Sequence, residues 1–289
     1  MRFFSYEQNA QTSVGVLLSE SATEFVNFAA LGSKLPNDLK ALIERPDGLA
    51  TAYAEAKKAP PQALLPLKDV KFKTLIENPS KVVCMGLNYA DHAKEGGNAR
   101  PEFPSFFLRG NSSLASHNAS LIRPRASDKL DYEAELALVI SKPARHLTPQ
   151  NALEYVAGYA CFNDGTARDW QRHTHQWIPG KNFPLTGPFG PFMATTQEIP
   201  DVNRLTLETR LNGEVMQHAS LADLIFTLPV IIEYISGFTP LSAGDVIATG
   251  TPGGVGDRRE PPVYMKAGDV IEIEITGLGT LRNRVVDAA

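Results

Sequence analysis

The sequence predicts an α+β fold that is mainly β, a sandwich or roll with a small N-terminal α+β domain in front of it. Three observations carry this. Short runs rich in β-branched, aromatic and other apolar residues recur along the chain, separated by turns rich in Gly, Pro and Asn, which is the pattern of many short strands. Helical apolar spacing is confined to a few stretches, chiefly residues 38–58 and 221–235. A stiff, linker-like Ala59-Pro60-Pro61-Gln62-Ala63 lies near the end of a first unit, 1–72, and the remainder, 73–289, reads as the main domain.

The totals fit that picture. With 289 residues, a formal net charge of −4, 43% hydrophobic and 21% charged residues, the chain has the balance of an ordinary globular protein of one large domain, or a large and a small one. No run approaches the length of a membrane-spanning helix. The stretch Met1-Arg2-Phe3-Phe4-Ser5-Tyr6-Glu7-Gln8-Asn9 lacks a continuous apolar region and a cleavage site, so a cytoplasmic location is expected. Cys84 and Cys161 sit in apolar strand-like runs, which suits buried thiols in a reducing compartment and gives no zinc pattern. Mild acidity without basic clusters argues against nucleic acid as a partner.

Taken in order, Ser13–Leu18 and Glu24–Phe28 read as strands. A helix follows from about Asp38 with Leu39, Leu42 and Ile43 on one side, and an Ala-rich helix covers 49–58. Lys81–Gly86 is a short buried strand that runs into Leu87-Asn88-Tyr89-Ala90-Asp91-His92-Ala93-Lys94-Glu95-Gly96-Gly97. Strands are expected at 104–109 and 121–124, then at 131–140 and 156–162, with a helix starting at Thr148-Pro149 between the last two. The Gly- and Pro-dense stretch around Gly180-Lys181 reads as irregular. Asn212-Gly213 marks a two-residue hairpin. A helix is expected from Ser220 or Leu221 toward Ile235, broken or kinked at Pro229. The glycine-rich Gly250-Thr251-Pro252-Gly253-Gly254-Val255-Gly256 matches neither a P-loop nor the dinucleotide fingerprint, and suits close backbone approach to a small anion. A hairpin turning at 277–279 closes the chain.

The chemistry gathers around Asp131-Tyr132-Glu133-Ala134-Glu135-Leu136. On a strand Glu133 and Glu135 point to one face, and two unpaired buried carboxylates are costly. In isolation the pair suits a solvated edge. Asp164, at a strand end before a turn, supplies a third carboxylate, and three oxygen ligands without cysteine suit a hard cation, Mg²⁺ or Mn²⁺. Lys181 would offset the surplus negative charge. His92 and Glu95 share a face if their segment forms one helical turn, as a base and its orienter would, and equally as an exposed helix start would. No nucleophile-elbow motif occurs, so serine acyl chemistry has no support.

Five segments in order, residues 86–95, 131–136, 163–171 (Asn163-Asp164-Gly165-Thr166-Ala167-Arg168-Asp169-Trp170-Gln171), 180–183 and 250–256, resemble the fumarylacetoacetate hydrolase family over roughly residues 80–286. The resemblance implies a mixed β-sandwich roll, a homodimer, and Mg²⁺ or Mn²⁺ held by Glu133, Glu135 and Asp164. It implies that His92 and Glu95 activate water on a lid, that Lys181 stabilises developing negative charge, and that Arg168, Gln171, Gly250 and Thr251 contact the substrate, with Arg109 as a looser match. The substrate implied is a small 2-oxo acid, foremost a 2,4-dioxo acid cleaved hydrolytically at a C–C bond. Decarboxylation of an oxaloacetate-type acid and isomerisation of a diene-dioate are the alternatives on the same site. A catalytically silent ligand-binding member is the reading from another class. The substituent beyond the 2-oxo acid would be read by residues outside the motifs, among them Arg109, Trp177 and the 98–118 segment.

Overall fold

All seven residues of the strand Ala134–Ile140 are buried, as are all eight of Val156–Asn163 beside it. Strands covered on both faces must lie inside a layered structure. In the computed structural model, which describes residues 1–97 and 99–289, these two strands form the middle of a large mixed sheet. Asn98, the first residue of the 98–118 segment, lies outside the described residues. The pair is antiparallel, from Ala134 opposite Asn163 to Ile140 opposite Val156. Val246–Ala248 flanks Ala134–Ile140, followed by Val82–Gly86 in parallel and Ser105–Arg109 at the edge. On the other side, Gly187–Thr195 flanks Val156–Asn163.

Alternation along the central strand assigns its side chains to two cores. Leu136, Leu138 and Ile140 pack with Leu207, Ile271, Ile273 and Leu281 of a second, five-stranded sheet and with Ile231, Ile232 and Ile235 of the helix Leu228–Phe238. Ala137 and Val139 face the other way, into a cluster that contains Phe3, Phe4, Val14, Phe25, Leu39 and Leu42. Glu135 has the parity of Ala137 and Val139, so it leaves the strand on that second face. This arrangement is the α+β, mainly β fold that the sequence predicts.

The N-terminal residues extend the large sheet. Arg2–Gln8, a strand absent from the sequence-based expectation, pairs with Gly187–Thr195 through Arg2 opposite Ala194, and with Gln11–Leu17 on its other side. Glu24–Asn27 and Leu64–Pro66 complete that wing. The helices Leu39–Glu44 and Gly48–Ala56 pack beside it, the first capped by Asp38, whose side chain accepts from Ala41 N. Asn212 and Gly213 both take positive φ in the two-residue turn between Leu211 and Glu214, as that hairpin requires.

Four expectations are corrected. The segment 131–140 is two strands, Leu130–Asp131 and Ala134–Ile140, so Glu133 sits just ahead of the ladder. No helix starts at Thr148: the strand Val156–Asn163 begins only eight residues on, and the space holds a single turn, Ala152–Tyr155. Pro229 does not interrupt a helix but stands in its first turn, because residues 221–223 form a separate 3₁₀ turn and the helix begins at Leu228. The Gly180-Lys181 stretch is a one-turn helix, Ile178–Lys181. No described helix is long and apolar enough to cross a membrane.

Phe4 sits among Tyr6, Phe25, Phe72 and Phe192 and is fully buried in the core shared by the N-terminal wing and the central strands. Phe4→Ala is expected to destabilise the protein by about 3–5 kcal/mol. Because the core is shared, urea unfolding should remain one transition shifted to lower denaturant. A separate early transition involving only the N-terminal residues would show that the wing folds independently.

Candidate metal centre and its surroundings

The three carboxylates converge because two neighbouring strands end together. Ala134 is opposite Asn163, so Glu133 and Asp164 lie one residue beyond the pair on each strand. Glu133 N–H donates to Asn163 Oδ1 (3.0 Å), and Asp164 N–H donates to the Glu133 carbonyl (2.9 Å). Glu135 follows within the ladder. Ligand atoms of Glu133, Glu135 and Asp164 lie within 4.8 Å of one another, and all three side chains are buried.

Burial at this density demands compensation. It takes the form of a chain of alternating charge. Asp131 Oδ2 accepts from Arg168 Nε (2.7 Å), whose guanidinium also meets Glu133 Oε1 (2.6 Å). Lys181 Nζ bridges Glu133 Oε2 (2.6 Å) and Asp164 Oδ2 (2.7 Å), and Arg109 meets Asp164 Oδ1 at 2.5 Å. The first link is anchored by backbone: Asp131 also accepts from the amides of Tyr132, Gly256 and Asp257. The one-turn helix brings Lys181 inward, and a Cβ on Gly180 would stand 2.5 Å from the backbone nitrogen of Gln171.

Glu135 is left out of this pairing. Its only hydrogen bond among the described residues is from the backbone N–H of Gly250 (2.9 Å). Burial, with Asp164 and Glu133 close by, pushes its carboxyl well above the usual range. Burial acts on Glu133 in the same sense, but Lys181 and Arg168 outweigh it and bring that carboxyl down to about 2. Burial alone would discharge Lys181; Asp164 and Glu133 hold its pKa above the ordinary lysine value, so it stays an ammonium. Four carboxylates therefore face three cations, and the surplus falls on Glu135. A hard divalent cation fits this donor set: it would neutralise Glu135 and leave one positive charge over.

The wall opposite is the turn that carries His92. Asn88, fully buried, ties the start of that turn down: its side chain donates to the carbonyls of Thr249 (2.8 Å) and Phe226 (3.1 Å) and accepts from Phe226 N–H (2.7 Å). The helix Ala90–Glu95 follows. His92 Nδ1 stands 3.6 Å from Glu95 Oε2 and makes no hydrogen bond among the described residues, while both Glu95 oxygens accept from Gly254 N–H (3.2 Å). Glu95 thus joins the histidine turn to the glycine-rich loop.

A small cavity of about 50 Å³ opens among Glu133, Glu135, Lys181, His92, Gln171 and Thr251. It adjoins a wider one of about 520 Å³, bordered by Arg168, Arg172 and His175, and the two share Leu87, His92, Gln171 and Trp177. The structure thus gathers most of the expected residues at one place. Glu95 lies behind His92, and Gly250 faces Glu135 through its backbone. Arg109 borders neither cavity. It is buried, its other donors taken by Ser113, Gly165 and Thr186, and its visible role is to hold Asp164. His173 and His175 are exposed and outside the carboxylate group.

Sequence reasoning missed Asp131, Asn88 and Gln217. Asp131 stands two residues before Glu133, and that spacing was a usable signal. Gln217 lies on the five-stranded sheet, with nothing nearby in sequence to mark it.

Two outcomes follow from the charges. Glu135 has a folded-state pKa raised above its unfolded value, so its contribution to stability is complete in acid and is lost as pH rises through the folded value. Metal-free protein should therefore melt at progressively lower temperature as pH rises above the ordinary carboxylate range. Glu135→Gln or added Mg²⁺ should flatten that slope; an unchanged slope in Glu135→Gln would refute the assignment. Separately, Asp131→Asn leaves Arg168 buried with one carboxylate fewer and should cost about 3–5 kcal/mol in urea unfolding. A loss below about 1 kcal/mol would show that the backbone amides, not the ion pair, anchor this end.

Comparison with known proteins identifies the family. The family model described as Fumarylacetoacetate (FAA) hydrolase C-terminal matches residues 81–286. The chain is 41% identical over 232 residues to Fumarylacetoacetate hydrolase domain-containing protein 2 homolog of Dictyostelium discoideum, covering 76% of each chain. It is 38% identical over 253 residues to Oxaloacetate tautomerase Fahd2a, mitochondrial, of Rattus norvegicus, covering 87% of this chain and 80% of the relative. Among solved structures, fumarylacetoacetate hydrolase from psychrophilic Exiguobacterium antarcticum superposes with a TM-score of 0.84 at 35% identity, over the whole of both chains. The chain belongs to the fumarylacetoacetate hydrolase family.

Proposed function

We propose that this chain is a divalent-metal-dependent enzyme that enolises a 2-oxo acid, and that its reaction is the keto–enol tautomerisation of oxaloacetate. The observation that carries this is the charge balance. With all four carboxylates ionised, the site is one cation short until a divalent ion enters and one anion short afterwards, which suits the single carboxylate at the head of a 2-oxo acid. The rat relative's name, an oxaloacetate tautomerase, supports the choice of substrate.

Glu133, Glu135 and Asp164 would hold Mg²⁺ or Mn²⁺. When bound, the ion supplies Lewis-acid polarisation and fixes the orientation of the ligand's head. The remaining work falls to side chains. Tautomerisation removes a proton from the carbon next to the oxo group and delivers one to the oxo oxygen. His92 borders the small cavity and is the base in reach. A modest rotation that closes its 3.6 Å separation from Glu95 would place the imidazole proton on Nδ1 and leave Nε2 free to accept. Lys181, kept charged by Glu133 and Asp164, lowers the cost of negative charge arising on the oxygen until the proton taken by His92 is returned to it. The phenyl ring of Phe107, 5.1 Å below Lys181 Nζ, and Trp177 exclude water from one side.

The same His92–Glu95 pair favours a second reading, hydrolysis of a C–C bond in a 2,4-dioxo acid, in which His92 takes its proton from water rather than from carbon. The two are separated by a direct assay. Protein loaded with Mg²⁺ or Mn²⁺ should speed the decay of the enol absorbance of oxaloacetate, and should release little pyruvate from acylpyruvates. Fast pyruvate release would establish the hydrolase instead. His92→Ala should lower turnover by about 10²- to 10⁴-fold while calorimetric metal affinity is retained. Equal loss of both would sink the division of roles, and no turnover of either substrate class with metal bound would leave a silent ligand-binding protein.

A further inference from the structure

We propose that Gln217 is a positioning residue that sets the proton of the Thr251 hydroxyl, making it an obligate hydrogen-bond donor to whatever occupies the carboxylate site. Gln217 comes from the five-stranded sheet, and its buried side chain reaches through to the strand that carries the acidic residues. Its Oε1 accepts from Ala134 N–H (3.1 Å) and from the Thr209 hydroxyl (2.7 Å). Its Nε2 donates to Thr251 Oγ1 (2.8 Å) and to the Pro252 carbonyl (2.9 Å).

The amide has only one orientation in this setting. A backbone N–H can only donate and a carbonyl can only accept, so Ala134 fixes one end as oxygen and Pro252 fixes the other as nitrogen. Thr251 Oγ1 must then use a lone pair toward Gln217, and its single hydrogen lies elsewhere. Among the described residues that hydroxyl donates to none, and Thr251 is buried at the edge of the small cavity beside Glu133, Glu135 and Lys181. The cavity is where the hydrogen points. A ligand atom meeting Thr251 must be an acceptor, a carboxylate or oxo oxygen.

Gln217 also ties two parts of the site together. Ala134 lies between Glu133 and Glu135, and Thr251 follows Gly250, whose N–H holds Glu135. The spacing between the acidic strand and the glycine-rich loop is therefore set twice, once by backbone and once by this amide. The identity of the ligand rests on the function proposed above; the direction of the proton does not.

Neutron diffraction from deuterium-exchanged crystals of the unmodified chain reads that direction without any ligand. Deuterium on Thr251 Oγ1 should point into the cavity, with both Gln217 deuterons toward Thr251 and Pro252; deuterium on the line to Gln217, or a flipped amide, overturns the inference. The functional arm measures oxalate, a 2-oxo acid mimic, binding calorimetrically to Mn²⁺-loaded protein. Gln217→Glu preserves both acceptor contacts; its second oxygen, carrying the carboxyl proton toward the Pro252 carbonyl, offers Thr251 an acceptor, so the threonine proton turns away. Gln217→Glu and Thr251→Ala should each weaken oxalate by about tenfold, the scale of one hydrogen bond to a charged group. The double variant should be no weaker than either single one, with Mn²⁺ affinity retained throughout. Wild-type oxalate affinity in Gln217→Glu, or losses that multiply, overturns the inference. Should Gln217→Glu fail to fold, the neutron map decides. The expected map with no oxalate binding by the wild type would uphold Gln217 and count against the 2-oxo acid reading.

Discussion

The fold around the site is constrained by a charge problem: four carboxylates, Asp131, Glu133 and Glu135 on one segment and Asp164 at the end of the neighbouring strand, are buried close together. Arg168, Lys181 and Arg109 resolve most of it, each held between two acidic partners or between an acid and neutral acceptors. Each cation arrives from a different element: Arg109 from the edge strand Ser105–Arg109, Arg168 from the short helix Arg168–Gln171, and Lys181 from the one-turn helix after it. Removing any one would leave an uncompensated buried charge. The topology that brings three separate segments to one strand end is thus enforced by electrostatics as well as by the apolar cores.

Much of the fold was legible in the sequence because strand alternation and turn chemistry are local. Ala134–Ile140 declares itself by its apolar run, and Asn212-Gly213 by the positive φ that this pair readily adopts. The misreadings share one cause. Thr148-Pro149 and the residues around Pro229 carry correct local signals for a helix start and a helix break, but neighbouring elements decide how much chain is free to respond. Gly180-Lys181 forms one turn despite its Gly and Pro because Lys181 is drawn inward to Glu133 and Asp164.

For the site, the acidic residues were visible because they cluster in sequence and recur in motif order. The residues that hold them were not. Asn88 lies inside a motif, but its task, pinning Thr249 and Phe226, involves partners far along the chain. Gln217 is further still: it sits on a different sheet, and only the packing of the two sheets brings it to Ala134 and Thr251. Arg109 shows the converse. A cation next to a motif suggests contact with a ligand, yet its surroundings engage it with protein on every side.

The uneven pairing has a consequence for how the site handles a metal ion. Because Lys181, Arg168 and Arg109 already satisfy Glu133 and Asp164, those carboxylates keep their positions without an ion, and the cavity is shaped in advance. Glu135 is the carboxylate left without a cation: burial, with Asp164 and Glu133 close by, raises its carboxyl, and Gly250 N–H holds it. Under the proposed function, ionising this carboxyl adds to the cost of taking up an ion, and metal affinity rises with pH until it is ionised. Gly250 N–H, which favours the charged form, moderates this cost, and the adjoining Thr251 borders the small cavity. Under the proposed function, ionisation of Glu135 and recognition of the ligand's oxygens are coupled through two consecutive residues of one loop.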